Sequence, residues 1–148
     1  MSEAARPTRR AVAAAVRRGD GLVLAVRRPD GPDEELPGLW GLPAVTLGED
    51  ETPEAGVRRV GRDKLGVDVT PLRELASGDQ QRDGHMLRMT VFEASMAGEP
   101  LLPARASDAA TTLYDAVDWL PADAFREAAD EGSLCCRLLL ATLAGEKQ

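Results

Sequence analysis

Histidine and cysteine are scarce, with one His and two Cys in 148 residues, and that scarcity removes several chemistries at once. The cysteines, Cys135 and Cys136, are neighbours inside an apolar run. No spaced pair frames a disulfide network or a zinc site, so a reducing compartment is expected. Long apolar runs are missing as well. Residues 11–16 follow Arg6, Arg9 and Arg10 in the manner of a secretion signal, but the run is too short, and Arg17, Arg18, Gly19 and Asp20 interrupt it. No stretch approaches the roughly 20 apolar residues that cross a bilayer, so a cytoplasmic protein with no membrane partner is expected. Positive charge is in deficit, 18 Lys and Arg against 25 Asp and Glu. Proteins that bind nucleic acid generally cluster Lys and Arg against phosphates, so no nucleic-acid partner is expected. The same average field repels a small polyanion, which would need local arginines or bound cations to hold it.

What is present suits one domain, because a chain of this length buries a single core. Residues 1–10 read as a flexible N-terminal arm and 11–148 as one domain that includes a C-terminal helix. Residues 11–16 and 22–26 are small-aliphatic and β-branched runs around Gly19, Asp20 and Gly21, the pattern of a hairpin with a glycine-rich turn. Residues 29–38 collect prolines, glycines and acids and read as a surface loop. Thr52, Pro53 and Glu54 make a helix start, with a capping hydroxyl, a proline in the first turn and a carboxylate at the positive end. Gly66 supplies its stop. Gly56 and Gly61 fall inside that helix, each costing up to about 1 kcal/mol against Ala, which points to close packing on a neighbour. Residues 67–75 and 86–94 read as strands, 77–84 between them as a polar turn, 113–120 as a last strand, and Ser133 as the cap of a final helix carrying Leu134, Leu138, Leu139 and Leu143. An exposed part of that helix would offer a face to a second copy, a homodimer.

The stretch 42–67, LPAVTLGEDETPEAGVRRVGRDKLGV, resembles the Nudix box, written in that family as G, five residues, E, seven residues, REU, one residue, EE, one residue, GU, with U aliphatic. Glu51, Arg59, Gly66 and Val67 fall on box positions. Asp63 takes one glutamate position as a shorter carboxylate, Val60 and Lys64 take the other two, Val45 replaces the first glycine and Gly61 the aliphatic residue. Leu39-Trp40-Gly41-Leu42-Pro43 is similar to the strand leading into such boxes, and Val117-Asp118-Trp119-Leu120-Pro121 to the strand-to-helix junction beyond. The resemblance implies an α+β fold, an α/β/α sandwich with a mixed sheet flanked by helices.

In that family the box glutamates bind Mg²⁺ or Mn²⁺, which neutralise a diphosphate and activate the attacking water. By helical spacing, positions 60, 63 and 64 share a face, and here that face presents a valine, an aspartate and an ammonium. The resemblance therefore implies Mg²⁺ or Mn²⁺ bound weakly or not at all, with Asp63 and Glu51 as the remaining metal ligands, helped by Glu49 or Asp50 and by the carbonyls of Ala44 and Val45. Glu51, Arg59 and Asp63 are the candidate catalytic residues. Arg59 pairs with Glu51 or is a solvated helix arginine. Lys64 can contact phosphate in place of the ion, and Trp40 either stacks on a base or packs at the core's rim. His85, Asp108 and Asp115 have readings as surface residues as well as functional ones. The expected ligand is a small anion containing a diphosphate. The expected function is weak or altered hydrolysis of a nucleoside-diphosphate-linked compound, with a non-catalytic ligand-binding or regulatory module as the alternative.

Overall fold

The first strand, β1 (Thr8–Val16), is apolar on both faces, and that decides where it lies. Ala11, Ala13 and Ala15 join one buried cluster while Val12, Ala14 and Val16 join another. Period-2 alternation sends neighbouring side chains to opposite faces, so β1 has to be covered on both sides. The computed structural model describes residues 7–29, 36–102 and 114–146. It places β1 inside a four-stranded mixed sheet of order β4-β1-β6-β5, where β4 is Ala44–Thr46, β5 Asp68–Arg82 and β6 His85–Ala97. β1 runs parallel to β6 and antiparallel to β4. A second, antiparallel sheet has the order β3-β2-β7, with β2 Val23–Arg27, β3 Trp40–Gly41 and β7 Ala116–Leu120.

Helices close both faces. On one side α1 (Pro53–Arg59) continues into a π-helical segment, Val60–Leu65, contributing Val57, Val60 and Leu65 to the core. On the other, a 3-10 turn (Ala122–Phe125), α2 (Arg126–Asp130) and α3 (Leu134–Glu146) contribute Phe125, Ala128, Cys136 and Leu139. The expected α+β sandwich is therefore the observed one, built on two sheets flanked by helices. No helix among the described residues is long and apolar enough to cross a membrane.

Three expectations need correction. The runs at 11–16 and 22–26 do not form a paired hairpin. The turn exists, with Gly21 at φ 88, Arg18 N–H donating to Leu22 O at 2.9 Å and one bridge from Arg17 to Val23, but β1 and β2 then diverge into different sheets. Each finds longer ladders elsewhere, β1 with nine residue partners on β6 and β2 with five on β7. β1 itself runs from Thr8, where Thr8, Arg9 and Arg10 pair with Met86, Leu87 and Arg88.

The polar stretch from Ser77 is strand up to Arg82, and the turn is confined to Asp83 and Gly84, with Gly84 at φ 82. Its polarity reflects half-exposure and a small residue under a helix. Gly78 lies beneath α3, where an added Cβ would come within 3.3 Å of Leu138. Asp79 forms an ion pair with its cross-strand partner Arg88 at 2.9 Å, and Gln80 donates to Gly132 O at 3.0 Å.

The third correction concerns the helix. It starts as expected, with Thr52 Oγ1 accepting from Ala55 N–H at 3.1 Å, and stops at Gly66 with φ 66, but its second half is wound as a π-helix. Bonds of the i to i+5 kind put more residues in each turn, so Val60 and Leu65, five apart, are both fully buried. Residues 60, 63 and 64 do not share one face as α-helical spacing implied: Val60 and Lys64 turn inward and Asp63 does not. Gly56 and Gly61 do mark close packing. A Cβ at Gly56 would collide with Leu47 and lie 2.9 Å from Val12 Cγ2, and one at Gly61 would collide with Val67 O and lie 2.8 Å from Val69 N.

Candidate functional site

A short loop and the first turns of α1 build the site, and its centre is a charged clamp. Glu51 and Arg59 lie at the two ends of the capped segment, eight residues apart, and folding brings them into bidentate contact. Arg59 Nε donates to Glu51 Oε2 at 2.9 Å and Arg59 Nη2 to Oε1 at 2.9 Å. The Gly48 amide also donates to Oε1, at 3.0 Å. Arg59 reaches further, donating to Thr46 O at 2.7 Å and approaching Asp63 Oδ2 at 3.9 Å. Fork-to-carboxylate pairs of this kind are among the stronger charge-assisted contacts. The hydrogen bonds from Arg59 hold the Glu51 carboxyl down at about 2, with the Gly48 amide adding to the effect and partial burial opposing it.

Arg10, which the sequence gave no reason to choose, anchors the same loop from β1. Its Nη2 lies 3.1 Å from Gly48 O, 3.3 Å from Glu49 O and 3.0 Å from Glu51 O. Its backbone carbonyl also accepts from Leu47 N–H at 2.8 Å. The guanidinium groups of Arg10 and Arg59 together fix residues 46–51.

Beneath the clamp the helix is buried. Val60 is enclosed by the core, and Lys64 is only 7% exposed, its Nζ lying 5.2 Å from the centroid of the Tyr114 ring. That distance is within cation–π range. Tyr114 is itself buried, accepts from Ala44 N–H at 3.1 Å through its hydroxyl, and has its phenol pushed up by that burial.

The structure therefore brings Glu51, Arg59 and Asp63 together and turns Lys64 inward beside them. It places Trp40 elsewhere, against the core cluster under α2 and α3, with the Arg27 guanidinium 5.7 Å from its ring centroid. Asp115 pairs with Arg27 at 2.8 Å, His85 opens β6, and Asp108 lies outside the described residues.

Residues 7–135 match the NUDIX domain family. The chain belongs to that family. A Mycobacterium tuberculosis protein named "Putative 8-oxo-dGTP diphosphatase 2" is 35% identical over 125 residues, covering 76% of this chain and 80% of that protein. A "MutT-like protein" of Streptomyces ambofaciens is 45% identical over 58 residues, 39% of this chain and 34% of that one. Among solved structures, the E. coli ORF135 protein superimposes with a TM-score of 0.72 at 22% identity, covering 94% of this chain and 93% of the other. A MutT protein from Methanosarcina mazei Go1 gives 0.71 at 17% identity over the full length of both.

Nudix proteins generally use divalent metals, and the donor set here can be tested against one. Hard cations need several oxygen ligands. Val60 offers none, Lys64 brings a positive charge, and both carboxylate oxygens of Glu51 already accept from Arg59. Asp63 faces the same arginine. Among the described residues no three His, Cys, Asp or Glu side chains converge in a metal-holding group. The described residues of the box helix do not fit a divalent ion.

Proposed function

We propose that this Nudix protein binds a small anionic ligand containing a nucleoside-linked or similar diphosphate, and that its hydrolysis is weak or altered compared with relatives that retain the box glutamates. One observation carries this reading. The carboxylate at box position 51 is closed into the Arg59 clamp, while positions 60 and 64 hold a core valine and a buried lysine. The ligand class is supported by family membership and by the relative named for 8-oxo-dGTP, a compound with diphosphate linkages. Glu51, Arg59 and Asp63 then act mainly by shaping the loop, and positive charge from the chain itself serves phosphate in place of ions. Lys64 favours a second reading, a non-catalytic binding or regulatory module, because a fixed internal cation needs no metal to remain in place.

Mg²⁺ and Mn²⁺ titrations with 8-oxo-dGTP, dGTP and a nucleoside diphosphate sugar test both readings, with thermal stabilisation and phosphate release followed in parallel. Stabilisation that hardly depends on metal, with slow release, supports the proposal. Stabilisation without any release supports the second reading, and brisk metal-dependent turnover refutes both.

A further inference from the structure

Several arginines of this acidic chain reach carboxylates: Arg17 and Arg73 meet Glu93 at 3.3 and 2.8 Å, Arg18 meets Asp20 at 2.6 Å and Arg88 meets Asp79 at 2.9 Å. Arg10 departs from this pattern. It is half-buried on β1, beside a loop with three consecutive acids, Glu49, Asp50 and Glu51. Its side-chain contacts among the described residues are nevertheless main-chain carbonyls, with Nη2 at 3.0 to 3.3 Å from Gly48 O, Glu49 O and Glu51 O. Its ladder partner on β6 is another arginine, Arg88. Like charges side by side repel, so the sheet alone gives no reason for a cation at this position. We propose that Arg10 is the resident cation of the 48–51 loop, a positioning residue whose guanidinium holds the loop in the shape that delivers Glu51 to Arg59 without a metal ion. The inference rests on the reading that charge from the chain itself takes the place of ions.

Three carbonyl oxygens facing one point make a cradle for positive charge. Small hard ions fit it badly, because Mg²⁺ takes oxygens at about 2.1 Å and Ca²⁺ at about 2.3 to 2.6 Å, closer than these oxygens stand to Nη2. A guanidinium suits the wider cradle, since it is more weakly hydrated than an ammonium and presents a fixed fork of donors. The main chain places it there. Ala11 pairs with Thr46 on β4, and Leu47 N–H donates to Arg10 O at 2.8 Å. Gly48 joins the cradle to the clamp: its carbonyl faces Arg10, and its amide donates to Glu51 Oε1, the oxygen that also accepts from Arg59 Nη2. Without the cation, the three carbonyl dipoles lose what draws them together, and the Gly48 amide is freed from the carboxylate.

The test is NMR on the ligand-free protein, following hydrogen exchange at the Gly48 amide and the Arg59 Nε–H signal in wild type, Arg10→Ala and Arg10→Met. Arg137→Ala is the control, removing an arginine whose Nε donates to the Ala129 carbonyl at 2.9 Å on α3. In both Arg10 variants Gly48 exchange should quicken about tenfold or more, and the Arg59 signal should move toward that of a solvated arginine. Methylguanidinium at about 10 mM, far below denaturing concentrations, should restore both signals in Arg10→Ala, where the cradle is open, and not in Arg10→Met, where the retained stem fills the approach. Mg²⁺ and Ca²⁺ should restore neither. Wild-type signals in Arg10→Ala, the same changes in Arg137→Ala, no response to methylguanidinium, or recovery with Mg²⁺ or Ca²⁺ overturns the proposal. Because no nucleotide is present, brisk metal-dependent turnover by the wild type would refute the proposed function separately, whereas undisturbed Gly48 exchange would refute this inference alone.

Discussion

Replacing Glu51 with Gln removes the charge that Arg59 grips and keeps the length of the side chain, so it isolates what the clamp contributes. The carboxyl falls from an ordinary 4.5 to about 2 in the folded protein. At roughly 1.4 kcal/mol for each pKa unit, that sets a ceiling near 3 kcal/mol. The side chains of Glu51 and Arg59 keep 19% and 30% exposure, and solvent screening reduces exposed pairs to about 1 kcal/mol or less. The net loss expected for Glu51→Gln at pH 7 is therefore about 2 kcal/mol. Because the folded value lies below the unfolded one, this stabilisation is complete above about pH 4.5 and disappears as pH falls through about 2. Urea unfolding of both proteins at pH 7 and about pH 3 should show a gap that shrinks to less than half at the lower pH. Equal stability at pH 7, or a gap unchanged in acid, would refute the assignment of Glu51 as a charged clamp rather than a free ligand.

Val60→Glu should lower stability by about 3 to 5 kcal/mol, since the valine is fully buried and the new carboxylate would have no room to reach water; a near-neutral urea midpoint would place this position on an open face. Gly61→Ala pits a helix-propensity gain of about 1 kcal/mol against overpacking worth about 1 to 3 kcal/mol where the Cβ meets Val67 and Val69. Net destabilisation is expected in thermal melts, and a stabilised variant would show that the approach to β5 is looser. Thr52→Ala removes the acceptor for Ala55 N–H and should cost about 1 kcal/mol, with no loss in urea titration counting against the cap.

The readable parts of the site were those written in spacing. Glu51 and Arg59 stand on box positions, and the structure joins them through two hydrogen bonds and a third to Thr46. Arg10 could not be found this way, because its role comes from β1 running beside the loop that follows β4, a relation between segments some forty residues apart. Lys64 was visible as a substitution, but its inward direction depends on π-helical winding next to Gly61, whose missing side chain lets the backbone close onto Val67 and Val69. Spacing left Trp40 either stacking on a base or packing at the core's rim and Lys64 reaching for phosphate; the structure packs Trp40 against the cluster under α2 and α3 and Lys64 beside Tyr114 in the opposite cluster.

The chain's own order of residues determined what acts within a turn or two: the Thr52 cap, the Gly66 stop, the pattern that marks the family, and the doubly apolar β1 that has to lie in the middle. Such signals work through backbone conformation and side-chain spacing close at hand. Only the tertiary structure decided which sheet received β2, how far β5 ran past Ser77, and which way residues 60 to 65 faced. Those outcomes rest on which distant partner offers the longer ladder or the closer packing, and a strand half-exposed under a helix carries too little apolar pattern to announce itself.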